Sequence, residues 1–294
     1  MNIFLTGATG YIGSGVLSAL VSARHSVTAL VRDEKKAEAV RHDAVVSVVA
    51  DMRDRDVVRR LAGEADAVIT TASPGDETSS AADTDFAEAV LEGLRAGGTF
   101  VRTSGLWVHG SGDDITEDTP IDAPGLVAWR QELDERVLAA PGIRSLLVEP
   151  GIVYGRRGGI PNLVVSAAQT GDDPAALVLV GPGTQHWTTV HVDDLAELYV
   201  AVLEHGEPGS RFLGVSGQNP TTRELGEAAS RRLGLEGRVV PEEAATTIAR
   251  LGAFGEALLL DQQATGEKAR RALGWKPSRP SLLEEIATGG YDPV

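Results

Sequence analysis

The 294-residue sequence contains no cysteine, which excludes disulfides, thiolate metal sites, iron–sulfur clusters and thiol nucleophiles together. Its 42 acidic residues outnumber 27 basic ones, and the formal charge of −15 disfavours phosphate backbones and anionic lipids as partners. No apolar run approaches the roughly 20 residues of a membrane span, and the first residues lack the features of a secretion signal. We therefore expect a folded cytoplasmic protein without nucleic-acid or membrane partners.

The first 150 residues alternate short apolar runs with longer amphipathic stretches. The apolar runs lie at 3–6, 27–31, 45–49, 67–70, 99–103 and 144–148. Helical patterns lie between them at 11–22, 34–41, 53–61, 82–96 and 126–140. This alternation is typical of an α/β Rossmann-type fold, a doubly wound parallel sheet with helices on both faces. We predict a Rossmann domain over residues 1–150 and a smaller, mostly helical substrate-binding region over 151–294 that completes the sheet edge.

A glycine-rich turn, TGATGYIG over residues 6–13, joins the first predicted strand to the first predicted helix. Gly7 permits the tight turn, Gly10 lets the backbone approach a pyrophosphate, and Gly13 lets the helix lie close to the strand. The pyrophosphate would bind the unpaired N–H groups of the helix N-terminus. The alternative is a tight turn without a ligand. We predict dinucleotide contacts along this turn, at Gly7, Thr9, Gly10, Tyr11, Ile12 and Gly13.

The end of the second predicted strand indicates which dinucleotide binds. An NAD site usually places an acid there against the ribose 2′-hydroxyl, whereas this chain has Arg32, which favours the 2′-phosphate of NADP. Asp33 follows directly and keeps NAD as the second choice, and Arg32 as a merely solvated residue is the alternative. Asp51 and Met52, just past the third strand, are placed to meet an adenine edge or to form a surface turn.

Further motifs are spread over nearly the whole chain. They read TSGLWVHG at 103–110, EPGIVYG at 149–155, HVDDLA at 191–196 and ALGWKP at 272–277. With the glycine turn, they resemble the extended short-chain dehydrogenase/reductase superfamily, in its NAD-dependent epimerase/dehydratase group. The resemblance implies an NAD(P)-dependent oxidoreductase acting on a small-molecule substrate, and a possible homodimer built on helices 82–96 and 126–140. It also extends the predicted cofactor site to Thr71, Ala72, Thr103, Pro150 and Ile152.

The catalytic residues of that family are not all present. The family uses a serine, a tyrosine and a lysine four residues after the tyrosine, and the lysine lowers the pKa of the tyrosine for proton exchange. The frame fixed by Gly110 puts Gly105 at the serine position. The frame fixed by Glu135 puts Val127 and Gln131 at the tyrosine and lysine positions, and none of the four tyrosines precedes a lysine by four residues.

Two interpretations follow from the missing pair. In the first, the protein is a reductase or dehydrogenase with substituted proton chemistry, for which the nearest candidates are His109, Ser104, Tyr154, Trp107 and Arg130. His109 is preferred because its unperturbed pKa of about 6.5 suits proton exchange, although a polar cap at a strand end is the alternative. In the second, the fold binds NADP without chemistry, as a redox sensor of the NmrA-like type.

Three aromatic side chains, Trp107, His186 and Trp187, occupy positions that line the substrate cleft in the family. Tryptophan walls suit a largely apolar substrate, whereas burial in the core is the alternative. His186, His191, Asp193 and Asp194 cluster in sequence as metal ligands do, but the resemblance places His191 and Asp193 at the turn into a helix. We therefore expect no metal.

Overall fold

Parallel strands form the central sheet of the computed structural model, which describes residues 1–292. In chain order the strands are β1 (Asn2–Thr6), β2 (Ser26–Val31), β3 (Val45–Val49), β4 (Ala67–Thr70), β5 (Thr99–Thr103), β6 (Gly112–Ile115), β7 (Arg144–Pro150), β8 (Ile152–Tyr154), β9 (Leu177–Val178), β10 (Thr189–His191), β11 (Ser210–Gly214), β12 (Val239–Val240) and β13 (Gln262–Ala264). The seven-stranded sheet has the order β11-β7-β5-β4-β1-β2-β3, with every neighbouring pair parallel. The strand order reverses between β1 and β4, which opens a crevice at the carboxyl ends of these strands.

Helices cover both faces of this sheet. They are α1 (Tyr11–Ser22), α2 (Glu34–Ala39), α3 (Arg55–Glu64), α4 (Ser79–Gly93), α5 (Arg130–Leu138), α6 (Asn162–Val165), α7 (Val192–His205), α8 (Thr222–Arg232), α9 (Ala244–Leu251), α10 (Ala253–Leu258), α11 (Glu267–Leu273) and α12 (Leu282–Ala287), with a 3₁₀ turn at Leu106–His109. Along β1, Ile3 and Leu5 pack towards α1 and α7, whereas Phe4 packs towards α3, α4 and α5. Because both faces of the central strands are buried, β1 and β4 are nearly continuous apolar runs.

The predicted α/β Rossmann fold is confirmed, and the strands at 45–49, 67–70 and 99–103 have the predicted bounds. The helix predicted over 126–140 is shorter, because residues 125–129 form turns and α5 begins at Arg130. Within residues 1–292, no helix combines the length and apolar character that crossing a bilayer requires.

The chain after Pro150 contributes the edge strand β11 and a third apolar core. This core includes Tyr154, Trp187, Leu225, Leu258 and Ile286 and packs beside the carboxyl end of the sheet. Short parallel strand pairs, β8 with β10, β9 with β12 and β6 with β13, join this region internally and to the loop after β5. The region therefore forms a wall next to the crevice.

Candidate cofactor and substrate site

The turn between β1 and α1 requires glycine at two positions. Gly7 has a φ of +80°, and a Cβ there would lie 2.6 Å from Thr71 Oγ1. A Cβ at Gly13 would lie 2.0 Å from the carbonyl oxygen of Gly7, so α1 approaches the turn as closely as a bare backbone allows. At Gly10 the nearest atom to a Cβ is the oxygen of Gly7, at 3.1 Å. That contact is tight, but no second atom outside the adjacent backbone lies within 4 Å, so the rest of a side chain at Gly10 would extend away from the turn.

A first cavity of about 540 Å³ opens above this turn, along the carboxyl ends of β1 to β4. Most of the predicted cofactor residues line it, namely Gly7, Thr9, Gly10, Tyr11, Ile12, Arg32, Asp51, Met52, Thr71 and Ala72. Gly13 lies behind the turn, where it sets the helix position rather than a surface. Lining residues that were not predicted from the sequence include Arg53, Ser73, Pro74, Asp76 and Thr78.

Two arginines, Arg32 and Arg53, stand on the rim of the first cavity. The carboxylate of Asp33 accepts a hydrogen bond from the backbone N–H of Lys36 at 2.8 Å, so it caps α2. Arg53 follows β3, and its Nε lies 3.7 Å from Asp51 Oδ1. The sequence has a basic residue two positions after Asp51, which was predicted to meet the cofactor. This proximity could have identified Arg53 as a site residue.

A second cavity of about 290 Å³ continues from the first, and both are lined by Ile12, Thr71, Ala72 and Ser73. The ends of β5 and β7 build it, so the predicted residues Thr103, Ser104, Trp107, Pro150 and Ile152 all lie in its wall. Apolar side chains form much of the remaining lining, at Leu106, Val127, Val153 and Ile160. The two cavities form one groove across the sheet edge.

The positions aligned with the family's serine and tyrosine face the second cavity. Gly105 and Val127 both line it, and neither has a side chain that exchanges protons. Gln131, aligned with the lysine, is exposed and donates from Nε2 to Glu135 Oε1 at 3.1 Å. The second cavity therefore has its acid–base side chains elsewhere than in the family.

A buried ionic cluster lies next to the second cavity, and two of its members, Asp83 and Ser104, line the cavity. Arg102 on β5 is 1% exposed, and its Nη1 lies 2.9 Å from Asp134 Oδ1 of α5. Its Nη2 lies 3.8 Å from Asp83 Oδ2 of α4. Ser104 Oγ donates to Asp134 Oδ2 at 2.5 Å. Burial raises the pKa of both carboxyls, and the charge of Arg102 partly opposes that rise.

Arg130, the first residue of α5, lies beside this cluster and lines the second cavity together with Asp83. Its Nη1 donates to the carbonyl oxygen of Thr103 at 3.2 Å, and its guanidinium lies 4.8 Å from the centre of the Trp129 ring. Burial and the like charge of Arg102 lower the pKa of Arg130. Arg130 is among the candidates predicted from the sequence, whereas the charges around it were not predictable from the motifs.

His109 lies outside both cavities, contrary to its expected place at the mouth of β5. The 3₁₀ turn directs its ring inward, where Nδ1 lies 3.0 Å from the Thr119 carbonyl oxygen and Nε2 lies 3.1 Å from Glu149 Oε2. The side chains of His109 and Glu149 are both fully buried, and Arg211 Nη1 lies 3.2 Å from Glu149 Oε1. This geometry gives no support to His109 as a proton donor and matches the polar-cap alternative.

Three other predicted site residues also lie away from the groove. Tyr154 is buried, donates from its hydroxyl to the Pro280 carbonyl oxygen at 2.8 Å, and has its pKa raised by burial. Trp187 is a core residue whose Nε1 donates to the Leu258 carbonyl oxygen at 3.0 Å. His186 Nδ1 lies 2.8 Å from Asp261 Oδ1. The C-terminal region takes these side chains into its own packing, so neither cavity is lined by Tyr154, predicted as catalytic, or by Trp187 and His186, predicted to bind substrate.

The histidine–aspartate segment at 191–194 is structural. His191 Nδ1 accepts from the backbone N–H of Asp193 at the start of α7, and its Nε2 lies 3.2 Å from Glu285 Oε1. The carboxylate of Asp194 accepts from the backbone N–H groups of Ser278 and Arg279. In the part of the chain that the structure describes, no group of three or more potential ligands is arranged to hold a metal ion.

A doubly wound sheet with a glycine turn opening into a groove at the switch point defines a Rossmann-fold dinucleotide-binding protein. The sequence profile of a family described as NAD(P)H-binding matches residues 7–206. The chain belongs to this NAD(P)H-binding family, and relatives that include a reductase and a UDP-glucose 4-epimerase agree with the predicted resemblance.

Individual relatives match over nearly their full length. An uncharacterized protein of Schizosaccharomyces pombe is 29% identical, over 99% of this chain and 100% of that protein. A 3-diazoavenalumate denitrifying reductase of a Streptomyces species is 28% identical, over 97% of this chain and 99% of the reductase. The crystal structure of a dTDP-glucose 4,6-dehydratase from Bacillus anthracis in complex with NAD superposes with a TM-score of 0.78. It covers 99% of this chain and 96% of its own at 17% identity, which shows the shared fold alone.

Proposed function

We propose that this protein is an NADP(H)-dependent reductase that transfers hydride to a carbonyl-type group of a small, largely apolar metabolite. The observation that carries the proposal is the continuity of the groove. The first cavity meets the second across Ile12, Thr71, Ala72 and Ser73, so a dinucleotide in the first cavity would extend towards the apolar second cavity. Bound NADPH supplies the hydride.

The residues of the groove fit such a cofactor. The bare backbone at Gly10 leaves space for a pyrophosphate, and the N-terminus of α1 offers its N–H groups to that anion. Pro150, Ile152 and Thr103 would hold the nicotinamide end, because they line the second cavity at the ends of β7 and β5. The fit rests on backbone shape as much as on side chains.

Arg32 and Arg53 favour NADP over NAD. Both are exposed on the rim of the first cavity, where a ribose 2′-phosphate would meet their guanidinium groups. Asp33, the acid that kept NAD as an alternative, caps α2 through its carboxylate. That cap leaves Arg32 as the charged residue at the end of β2 that lines the cavity.

The wall of the second cavity and one relative support a reductase acting on an apolar substrate. Trp107, Val127 and Ile160 give the cavity an apolar lining that suits an alkyl or aromatic group better than a sugar. The similarity to a Streptomyces reductase over nearly all of both chains supports reduction as the reaction.

A calorimetric titration with NADPH and NADH tests the cofactor. Charge-assisted hydrogen bonds contribute about 1.5–3 kcal/mol, so we expect NADPH to bind at least about tenfold more tightly. Arg32→Gln should remove most of this preference, whereas Arg41→Gln, an exposed arginine paired with Glu38 outside the cavity, should keep it. Equal affinities in the unmodified protein would reject the assignment to NADP.

A second candidate is the catalytically silent NADP-binding sensor, favoured by Gly105 and Val127 at the positions of the family's serine and tyrosine. A screen of aldehydes, ketones and quinones followed at the NADPH absorbance separates the two functions. Turnover of any of these compounds above the background rate supports the reductase. Tight NADPH binding without turnover across the screen supports the sensor.

A further inference from the structure

The second cavity contains a cation whose charge is not balanced by an adjacent carboxylate. Within residues 1–292, Arg130 has no carboxylate oxygen within 4 Å, whereas the neighbouring Arg102 has Asp134 at 2.9 Å. One hydrogen bond, from Nη1 to the Thr103 carbonyl oxygen, uses only part of the five donors of the guanidinium. Arg130 therefore keeps donors free for a ligand.

The position of the guanidinium is fixed before any ligand arrives. The Trp129 ring supports it at 4.8 Å, and the Thr103 carbonyl holds one nitrogen. A planar guanidinium held in this way binds a carboxylate through two parallel hydrogen bonds, which a lysine could not do.

The surrounding charges favour an anion as that ligand. Asp83 is the acidic side chain in the wall of the second cavity, and its Oδ2 lies 3.8 Å from Arg102 rather than against Arg130. Asp134 is shared between Arg102 and Ser104. Burial raises the pKa of Asp83, and the charges of Arg102 and Arg130 partly oppose that rise. With a formal charge of −15 on the whole chain, anions need such a local cation to bind.

We propose that Arg130 binds the carboxylate of the substrate, and that the substrate class is a small monocarboxylate with an aromatic or alkyl body. The body would pack on Trp107, Val127 and Ile160, and the volume of about 290 Å³ limits its size because the nicotinamide takes part of the same cavity. This inference rests on the proposed function, since it names the substrate of the same site. Arg130 thus sets specificity by charge, and the apolar wall sets it by shape.

Binding without turnover tests this inference separately from the reductase activity. The protein is saturated with NADP⁺ and titrated by calorimetry with benzoate, phenylacetate and hexanoate, and with the corresponding neutral amides. We expect at least one carboxylate to bind at least tenfold more tightly than its amide. If all three carboxylates bind no better than their amides, the cavity recognises apolar shape alone and the proposal fails.

Variants on a single helix assign the effect to one side chain. Arg130→Gln should weaken carboxylate binding at least tenfold and leave amide and NADP⁺ binding unchanged, whereas Arg130→Lys should keep a reduced preference for the carboxylate. Arg136→Gln is the matched control, because Arg136 is exposed on α5 and pairs with Glu88 and Glu132. If Arg130→Gln and Arg130→Lys instead both weaken NADP⁺ binding and spare carboxylate binding, Arg130 holds the cofactor and the proposal is overturned. Carboxylate binding with no NADPH turnover would support the substrate class while rejecting the reductase.

Discussion

The first cavity is built from backbone at the ends of four adjacent strands, whereas the second is closed by side chains from separate elements. In the first, Gly7 and Gly13 let the turn and α1 pack closely, and Gly10 lines the cavity with bare backbone. In the second, Asp83 comes from α4, Trp107 from the 3₁₀ turn and Arg130 from α5. The same groove therefore has one half in which a local motif sets the shape and one in which long-range packing sets the chemistry.

Gly10→Val should have the largest effect, and it acts on the first cavity alone. The side chain would enter space where the pyrophosphate approaches the turn, so we expect NADPH affinity to fall at least about 100-fold with little change in melting temperature. Gly13→Ala is the contrasting variant. Its Cβ would meet the Gly7 oxygen at 2.0 Å, so it should lower the melting temperature itself. Calorimetry and thermal unfolding measure the two effects, and retained binding in Gly10→Val would show that the turn carries no ligand.

Asp134→Asn should show how far the second cavity depends on a buried charge pair. The substitution leaves the guanidinium of Arg102, which is 1% exposed, without its carboxylate at 2.9 Å. Removing one partner of a buried pair typically costs 3–5 kcal/mol, so we expect a loss of about 3 kcal/mol in the free energy of unfolding. Urea denaturation at pH 7 measures it. A loss below about 1 kcal/mol would mean that Asp83 and the Thr103 carbonyl suffice to hold Arg102.

His109→Phe separates a buried support from a proton donor. The ring bridges the Thr119 carbonyl oxygen and Glu149, and Glu149 keeps Arg211 after the change. We expect a loss of about 2 kcal/mol in unfolding free energy from the broken hydrogen bonds. Because His109 lies outside both cavities, turnover at saturating substrate should stay within a few-fold and the pH profile should not move. A pH profile that loses one ionisation in this variant would restore His109 as the proton donor.

The features that could be predicted from the sequence are those set by residues close together in the chain. The turn at 6–13, the ends of β1 to β4 and Arg32 follow from local patterns, and the structure places them around the first cavity. The frame that put Gly105 and Val127 at the catalytic positions also places both in the second cavity. Side-chain direction was not predictable. Within the same 3₁₀ turn, the His109 ring points into the core, whereas Trp107, two residues earlier, lines the second cavity. The role of Asp83 was missed because its partner, Arg102, lies on a different element, β5.

Asp83→Asn should have the smallest effect, and the pH dependence of stability reveals it. Burial raises the pKa of the Asp83 carboxyl, so the folded protein holds this proton at pH values where the unfolded chain, with an ordinary pKa near 4, has released it. In that window the folded state binds more protons, and the Asp83 contribution to stability falls as the pH rises from the ordinary value through the raised one. Asparagine has no such proton, so the variant should lose stability less steeply between pH 4 and pH 7. The free energy of unfolding of the variant should also be within about 1 kcal/mol of that of the unmodified protein at pH 7, because the 3.8 Å contact with Arg102 is long. Urea midpoints at four pH values measure both. A loss of several kcal/mol at pH 7, close to that expected for Asp134→Asn, would show that Asp83 is an ionised partner of Arg102 and that the second cavity carries a full negative charge in its wall.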